Sequence, residues 1–329
     1  MREIERRGVR MKACKVAVVQ WAPSVHDSRL GAERAVTAIG EAAGKGASLV
    51  VFPEVWLQGY PYWAGIGVQE PEFHAFRQKY FESGVAVPGP ELDQIREAAA
   101  RHKSVVVMSL TERAGGTLYC TAVYIGADGR LLGRHRKLMP TLTERLVWGM
   151  GDGSDLEAYD TDLGRVSGLL CFEHHMSPAR YALGSLGVEL HAAMWPGYPW
   201  LNRSVDACTR QLAFENGCYV LVAREVMNPD RLAPGMPEPI KSASSFMQTG
   251  GSAIIAPNGE YVVEPVFDQE QILVAELDPS VVGLQKWFFD GAGHYTRPDV
   301  FQMLWHRQPK PAVISQPSQD DGEVSGSGG

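Results

Sequence analysis

A chain of 329 residues with 45% hydrophobic content has material for one large core or for two smaller ones. Its formal net charge of −7 gives no electrostatic drive toward nucleic acid or an anionic membrane surface. The five cysteines (Cys14, Cys120, Cys171, Cys208, Cys218) are scattered without a CxxC pair, which argues against a disulfide framework and against a zinc site.

In chain order, short apolar strands alternate with amphipathic or alanine-rich helices. Residues 15–21 read as a strand, and a helix over about Arg29 to Ala43 is closed by Gly44-Lys45-Gly46. Ser48 to Glu54 is a second strand ending on a carboxylate, Leu92 to His102 a helix, and Ser104 to Leu110 a valine-rich strand. Leu118 to Ile125 opens a hairpin turned by Asp128-Gly129. Val166 to Cys171, a helix near Pro178 to Gly187, and Leu190 to Trp195 repeat the strand–helix–strand theme. A helix from Arg203 to Asn216 and a strand from Cys218 to Arg224 follow. An Asn258-Gly259 hairpin and a strand over Ile272 to Leu277 complete the pattern. Helical crossovers mixed with hairpins imply a mixed sheet in an α/β or layered α+β architecture. No apolar run reaches membrane-span length, and the basic start lacks the apolar stretch of a secretory signal, so a soluble cytoplasmic protein is expected. Residues 1–14 read as an N-terminal extension, 15–307 as the folded body and 308–329 as a tail, with Pro317 to Gly329 expected to be disordered.

The chain is organised around Gly168 to His175, where an apolar strand over Val166 to Leu170 delivers Cys171 to a turn before a helix with Pro178 in its first turn. Free N–H groups and the helix dipole at such an elbow can stabilise a thiolate, although a lone cysteine on an apolar strand is more often a small buried hydrophobe. Glu54 and Lys137 also follow strands, and residues at strand ends of one sheet meet at one rim. A cation would depress the cysteine pKa from ~8.5 towards neutrality. A carboxylate would move its proton, and a lysine would stabilise charge on a substrate heteroatom. Read singly, Glu54 is equally a cap or surface carboxylate and Lys137 a solvated charge.

Phe52-Pro53-Glu54 with Gly59-Tyr60-Pro61, His135 to Thr141 with Glu144-Arg145, Gly149 to Gly153, Cys171-Phe172-Glu173 and Gly293 to Val300 together resemble the nitrilase family. The resemblance runs from about Val16 to Arg307. It implies a four-layer α-β-β-α sandwich, a catalytic triad of Cys171, Glu54 and Lys137, and Glu144 as the additional glutamate that assists the lysine. It implies the nitrile-hydrolysing branch, with cyanide dihydratases and amidases as the alternatives, and a homodimer or larger spiral assembly. A non-catalytic protein keeping only the fold would show a damaged triad, and every member is present. Trp56, Tyr60, Phe172, His174 and Trp195 are the expected substrate-binding residues, with aromatic walls suited to an apolar R group. Phe172 stands where the family usually has Trp, and His174 resembles cyanide- and some arylacetonitrile-degrading members. The chemistry requires no cofactor. Adjacent His174 and His175 point in different directions with no third ligand near in sequence, so no metal is expected.

Overall fold

A computed structural model describes residues 8–227, 236–242, 247–311 and 313; the expected disordered stretch from Pro317 lies outside these. Two sheets form the centre. The first runs in the order β13 (Gln271–Leu277), β1 (Cys14–Gln20), β2 (Leu49–Val51), β3 (Val105–Ala114), β4 (Thr117–Ile125) and β5 (Leu131–Arg136). The second runs β10 (Val226–Met227), β11 (Gln248–Ile255), β9 (Tyr219–Arg224), β8 (Leu190–Trp195), β7 (Gly164–Leu170) and β6 (Tyr159–Thr161), with β12 (Tyr261–Phe267) also paired to β11. In each sheet the middle strands are parallel (β1–β2–β3 and β7–β8–β9) and the flanking pairs antiparallel, as crossovers mixed with hairpins require.

Side-chain alternation sorts these strands into layers. Val16, Val18, Leu49 and Val51 of the first sheet meet Leu170, Leu190, Ala192 and Leu221 of the second in a shared core. Ala17, Val19, Val50 and Val106 face the other way, against α1 (Ser28–Gly44) and α3 (Pro90–His102). Leu169, Ala193, Val220 and Val222 face α4 (Ser177–Ser185) and α5 (Asn202–Asn216). The result is a four-layer α-β-β-α sandwich. The Asp27 side chain caps α1 by accepting from the Leu30 amide at 2.9 Å, a bond of a kind contributing about 1 kcal/mol.

Three helices fall outside the sequence pattern: α2 (His74–Ser83), α6 (Glu238–Lys241) and α7 (Pro279–Phe288). Within α2 only Tyr80 and Ser83 are buried, so it carries almost no apolar stripe to read. The second strand is also shorter than expected, stopping at Val51 and leaving Phe52-Pro53-Glu54 as a connector. The start of the chain is tied to the second sheet, with the Arg10 and Met11 amides donating to Glu189 and the Lys12 amide to the Leu163 carbonyl. Among the described residues no helix is long and apolar enough to cross a membrane.

Candidate active site

Three strand ends converge between the sheets. Glu54 follows β2, Lys137 follows β5 and Cys171 follows β7, and all three are buried. In the turns that present them, Val55, Leu142 and Cys171 each hold a left-handed φ of 50°. Such strain costs roughly 1–3 kcal/mol per residue and persists only where surrounding packing enforces it. Cys171 keeps to the side of the second sheet that packs against α4 and α5, and its left-handed turn ends the strand with Sγ within 4.8 Å of carboxylate oxygens of both Glu54 and Glu144.

Lys137 sits between the two carboxylates, its Nζ donating to Glu54 Oε1 at 2.8 Å and to Glu144 Oε2 at 2.6 Å. These oxygens and the Cys171 sulfur would also suit a small cation, but the ammonium already bridges the acids. Glu144 is held in turn by the Thr141 amide at 2.6 Å and by the Tyr60 hydroxyl. Cys120 Sγ lies 3.5 Å from Glu54 Oε1, while Glu54 Oε2 has no partner among the described residues.

Burial sets the protonation of this cluster. It raises the Glu54 carboxyl from its ordinary 4.5 to about 7; Lys137 opposes the rise and Glu144 adds to it. Burial disfavours the Lys137 ammonium as well, yet Glu144 and Glu54 overcome this and hold it well above its usual value. For Cys171, burial and then the Glu54 charge push the thiol well above its ordinary value; Lys137 and the Phe172 amide pull it down without offsetting them. This corrects the expectation of a depressed cysteine pKa. The helix dipole expected to help is displaced, since a 3-10 turn over Cys171–His175 intervenes and α4 starts only at Ser177. A protonated thiol beside a base that titrates near neutrality makes attack depend on proton transfer.

His174 and His175 diverge. His175 Nε2 lies 2.7 Å from Ser204 Oγ, whereas His174 turns inward. His174 Nδ1 is 2.8 Å from the Cys171 carbonyl, which only accepts, so Nδ1 carries the proton. Nε2 of His174 then accepts from His191 Nε2 at 3.1 Å, and His191 Nδ1 accepts from Ser167 Oγ at 3.0 Å. Burial keeps both rings neutral at ordinary pH, with His174 lowered to about 4 and His191 well below its usual value. This one-directional chain ends on the backbone of the strained cysteine.

Of the expected substrate-binding residues, Tyr60 stands at the cluster. Phe172, His174 and Trp195 pack together with Cys171 on the α4–α5 side, and the Trp195 ring stacks on His174 at 5.1 Å. They back the cysteine turn, and both ring nitrogens of His174 are engaged by the protein. Trp56 is a correction. The left-handed Val55 carries it to the opposite side of the first sheet, where it packs on Phe52 and donates to the Trp21 carbonyl at 2.8 Å. Tyr62 and Tyr198 pack around Tyr60 instead. Their rings lie 6.0 Å apart, at 5.3 and 6.0 Å from Tyr60, and Trp148 meets Tyr60 at 5.7 Å. Cys120, Trp148 and Glu225 carried no local signal except that Glu225, like Glu54, directly follows a strand.

A fold of this kind with a buried Cys–Glu–Lys cluster defines a hydrolase of carbon–nitrogen bonds, and the model of the carbon-nitrogen hydrolase family matches residues 15–286. The chain belongs to the nitrilase family of that superfamily. It is 38% identical over 312 residues to Nitrilase 2 of Arabidopsis thaliana, covering 91% of this chain and 90% of that protein. It is also 38% identical to an aliphatic nitrilase of Sinorhizobium fredii, covering 93% of this chain and all of the relative. Among solved structures, Saccharomyces cerevisiae Nit3 superposes with a TM-score of 0.72 at 22% identity, covering 90% of this chain and 100% of that one.

Proposed function

We propose that the protein converts an organic nitrile to the carboxylic acid and ammonia through a covalent adduct on Cys171. The observation that carries this reading is the Lys137 ammonium held between Glu54 and Glu144 within reach of the Cys171 sulfur. The nitrilase relatives support it. In this mechanism Glu54 takes the thiol proton as Sγ attacks the nitrile carbon, and Lys137 delivers a proton to the nitrogen to give a thioimidate. Glu54 passes the thiol proton on to Lys137, then deprotonates a water that adds to the same carbon and returns that proton to the nitrogen, so that the C–N bond breaks to release ammonia and leave a thioester. A second water, activated in the same way, releases the acid and restores the thiol. The Phe172 amide, which favours the charged sulfur, shares the tetrahedral oxyanion with Lys137 in this mechanism. Glu144 and Tyr60 keep the ammonium in position.

The tyrosine walls support an arylaliphatic or otherwise largely apolar R group. The five free cysteines fit a reducing cytoplasm, and the exposed Leu284, Trp287 and Phe288 on α7 fit burial in a homo-oligomer. The test is ammonia release from phenylacetonitrile, mandelonitrile, an aliphatic dinitrile, cyanide and the matching amides, with Cys171→Ala alongside. Release from organic nitriles, absent in the variant, is the expected result. Release from cyanide alone or from amides alone would reassign the reaction to a cyanide dihydratase or an amidase.

A further inference from the structure

The alternation along β9 continues one residue past its end. Val220 and Val222 face α5, whereas Tyr219, Leu221 and Ala223 face the core between the sheets. Arg224 follows the first set, its guanidinium reaching Asn202 Oδ1 at 2.7 Å and the Tyr198 carbonyl at 2.6 Å. Glu225 therefore turns to the inter-sheet side, fully buried, where one of its carboxylate oxygens accepts from the Tyr62 hydroxyl. Its other oxygen, Oε2, has no partner among the described residues. On the neighbouring strand β11, Gln248 is buried too. Its Oε1 accepts from the Gly197 amide, and its Nε2 likewise has no partner among the described residues. Gly197 permits this close assembly: a Cβ there would lie 1.9 Å from the Glu225 carbonyl oxygen and 3.1 Å from Gln248 Oε1.

Glu225 connects to the reacting cluster through tyrosine rings. The Tyr62 ring that meets Glu225 packs on Tyr60, whose hydroxyl holds Glu144, and Tyr198 stands edge-on to both rings. One layer of tyrosines thus separates Glu225 from the Lys137 carboxylates. Buried polar atoms without partners are uncommon, because they surrender water and gain nothing in return. An acceptor and a donor left open on adjacent strands beside an active site are groups waiting for a ligand.

We propose that Glu225 and Gln248 form a subsite for a hydroxyl group on the R group of the substrate, remote from its carbon–nitrogen triple bond. The proposal rests on the nitrile-hydrolysing reading and specifies its substrate class. A hydroxyl donates to Glu225 Oε2 and accepts from Gln248 Nε2, satisfying both. A wholly apolar R group leaves both dry and unpaired. A carboxylate on the R group is repelled by the ionised form of Glu225, and an ammonium meets the amide donor. Burial raises the Glu225 carboxyl to about 8, against the Tyr62 hydrogen bond, so near neutrality it is largely protonated; a hydroxyl fits that form as well.

The experiment compares kcat/KM for matched nitriles, and for the corresponding primary amides, over a series of chain lengths. One member of each pair bears a terminal hydroxyl and the other a methyl in its place. Wild type should favour a hydroxyl member at least tenfold, and Glu225→Leu should bring that ratio close to one, with Glu225→Gln between. A wild-type ratio near one throughout, or the same ratio in Glu225→Leu, overturns the subsite. Turnover of amides without nitriles would refute the reaction assignment while the ratio still reports on Glu225. Should Glu225→Leu fail to fold, Gln248→Leu and Tyr62→Phe read the same ratio. If no compound is turned over, calorimetric Kd values for each pair on Cys171→Ala take its place, and equal values for the two members overturn the proposal.

Discussion

His135 and Glu173 form a buried ion pair, with His135 Nε2 at 3.0 Å from Glu173 Oε1 and 3.1 Å from Oε2. The same carboxylate accepts from the Leu138 amide at 2.7 Å and the Leu170 amide at 2.8 Å. It therefore grips the backbone immediately after Lys137 and immediately before Cys171. Asp155 Oδ1 holds the other face of the imidazole at 3.0 Å. One carboxylate thus braces the lysine strand against the cysteine strand and sets the spacing of the two groups.

Removing that brace should be expensive. Glu173→Ala leaves a buried imidazolium short of a partner, and unfolding in urea should show a loss of about 3–5 kcal/mol. Burial opposes the His135 charge, but Glu173 and Asp155 overcome it and raise the ring from 6.5 to about 10. Its stabilisation is therefore complete below pH 6.5 and disappears as pH rises through 10. Burial likewise opposes the Glu173 charge, yet His135 and the backbone amides depress its pKa below 4.5. That contribution is present above pH 4.5 and is lost as pH falls through the depressed value. Wild-type stability should show this plateau, and a variant with the same pH dependence would contradict the pairing.

The acid limb of kcat/KM should fall near pH 7, where Glu54 loses its proton and becomes a base. The Cys120 thiol favours the charged carboxylate by its contact at 3.5 Å. Cys120→Ala should therefore move the limb to higher pH, with activity at pH 6 falling more than activity at pH 8. A limb that stays in place, or moves to lower pH, would remove Cys120 from the account.

The histidine chain predicts a split between kcat and KM. His191→Leu deprives the buried His174 Nε2 of its donor, at a stability cost of about 1–3 kcal/mol. It loosens the residue that holds the Cys171 carbonyl, so kcat should fall with KM little changed. His191→Gln, whose amide can still donate, should recover a good part of kcat. Equal kcat for the two variants would show that the ring only fills space.

Much of this arrangement was legible in the sequence because the physics there is local. Val50-Val51 and Val105-Val106-Val107 are β-branched runs bounded by loops, and Asp128-Gly129 and Asn258-Gly259 are turn pairs, so sheets and hairpins follow directly. Glu54, Lys137, Glu144 and Cys171 were found through the family pattern, since alone each has an ordinary structural reading. Trp56 was misplaced because loop residues have no periodicity, and the left-handed Val55 that redirects the chain leaves no mark in composition. Glu225 and Cys120 owe their places to burial, which no local pattern in the sequence announces. The raised thiol pKa is likewise a consequence of packing, which outweighs the nearby lysine.

The central claim is that Cys171 carries the substrate carbon during turnover. Acid-quenched turnover of an organic nitrile, followed by peptide mass spectrometry, measures this directly. The Cys171 peptide should gain the mass of the thioimidate or the acyl group, and Cys171→Ala should neither form the adduct nor release ammonia. Undiminished ammonia release by Cys171→Ala, or an adduct on another residue, would contradict the account.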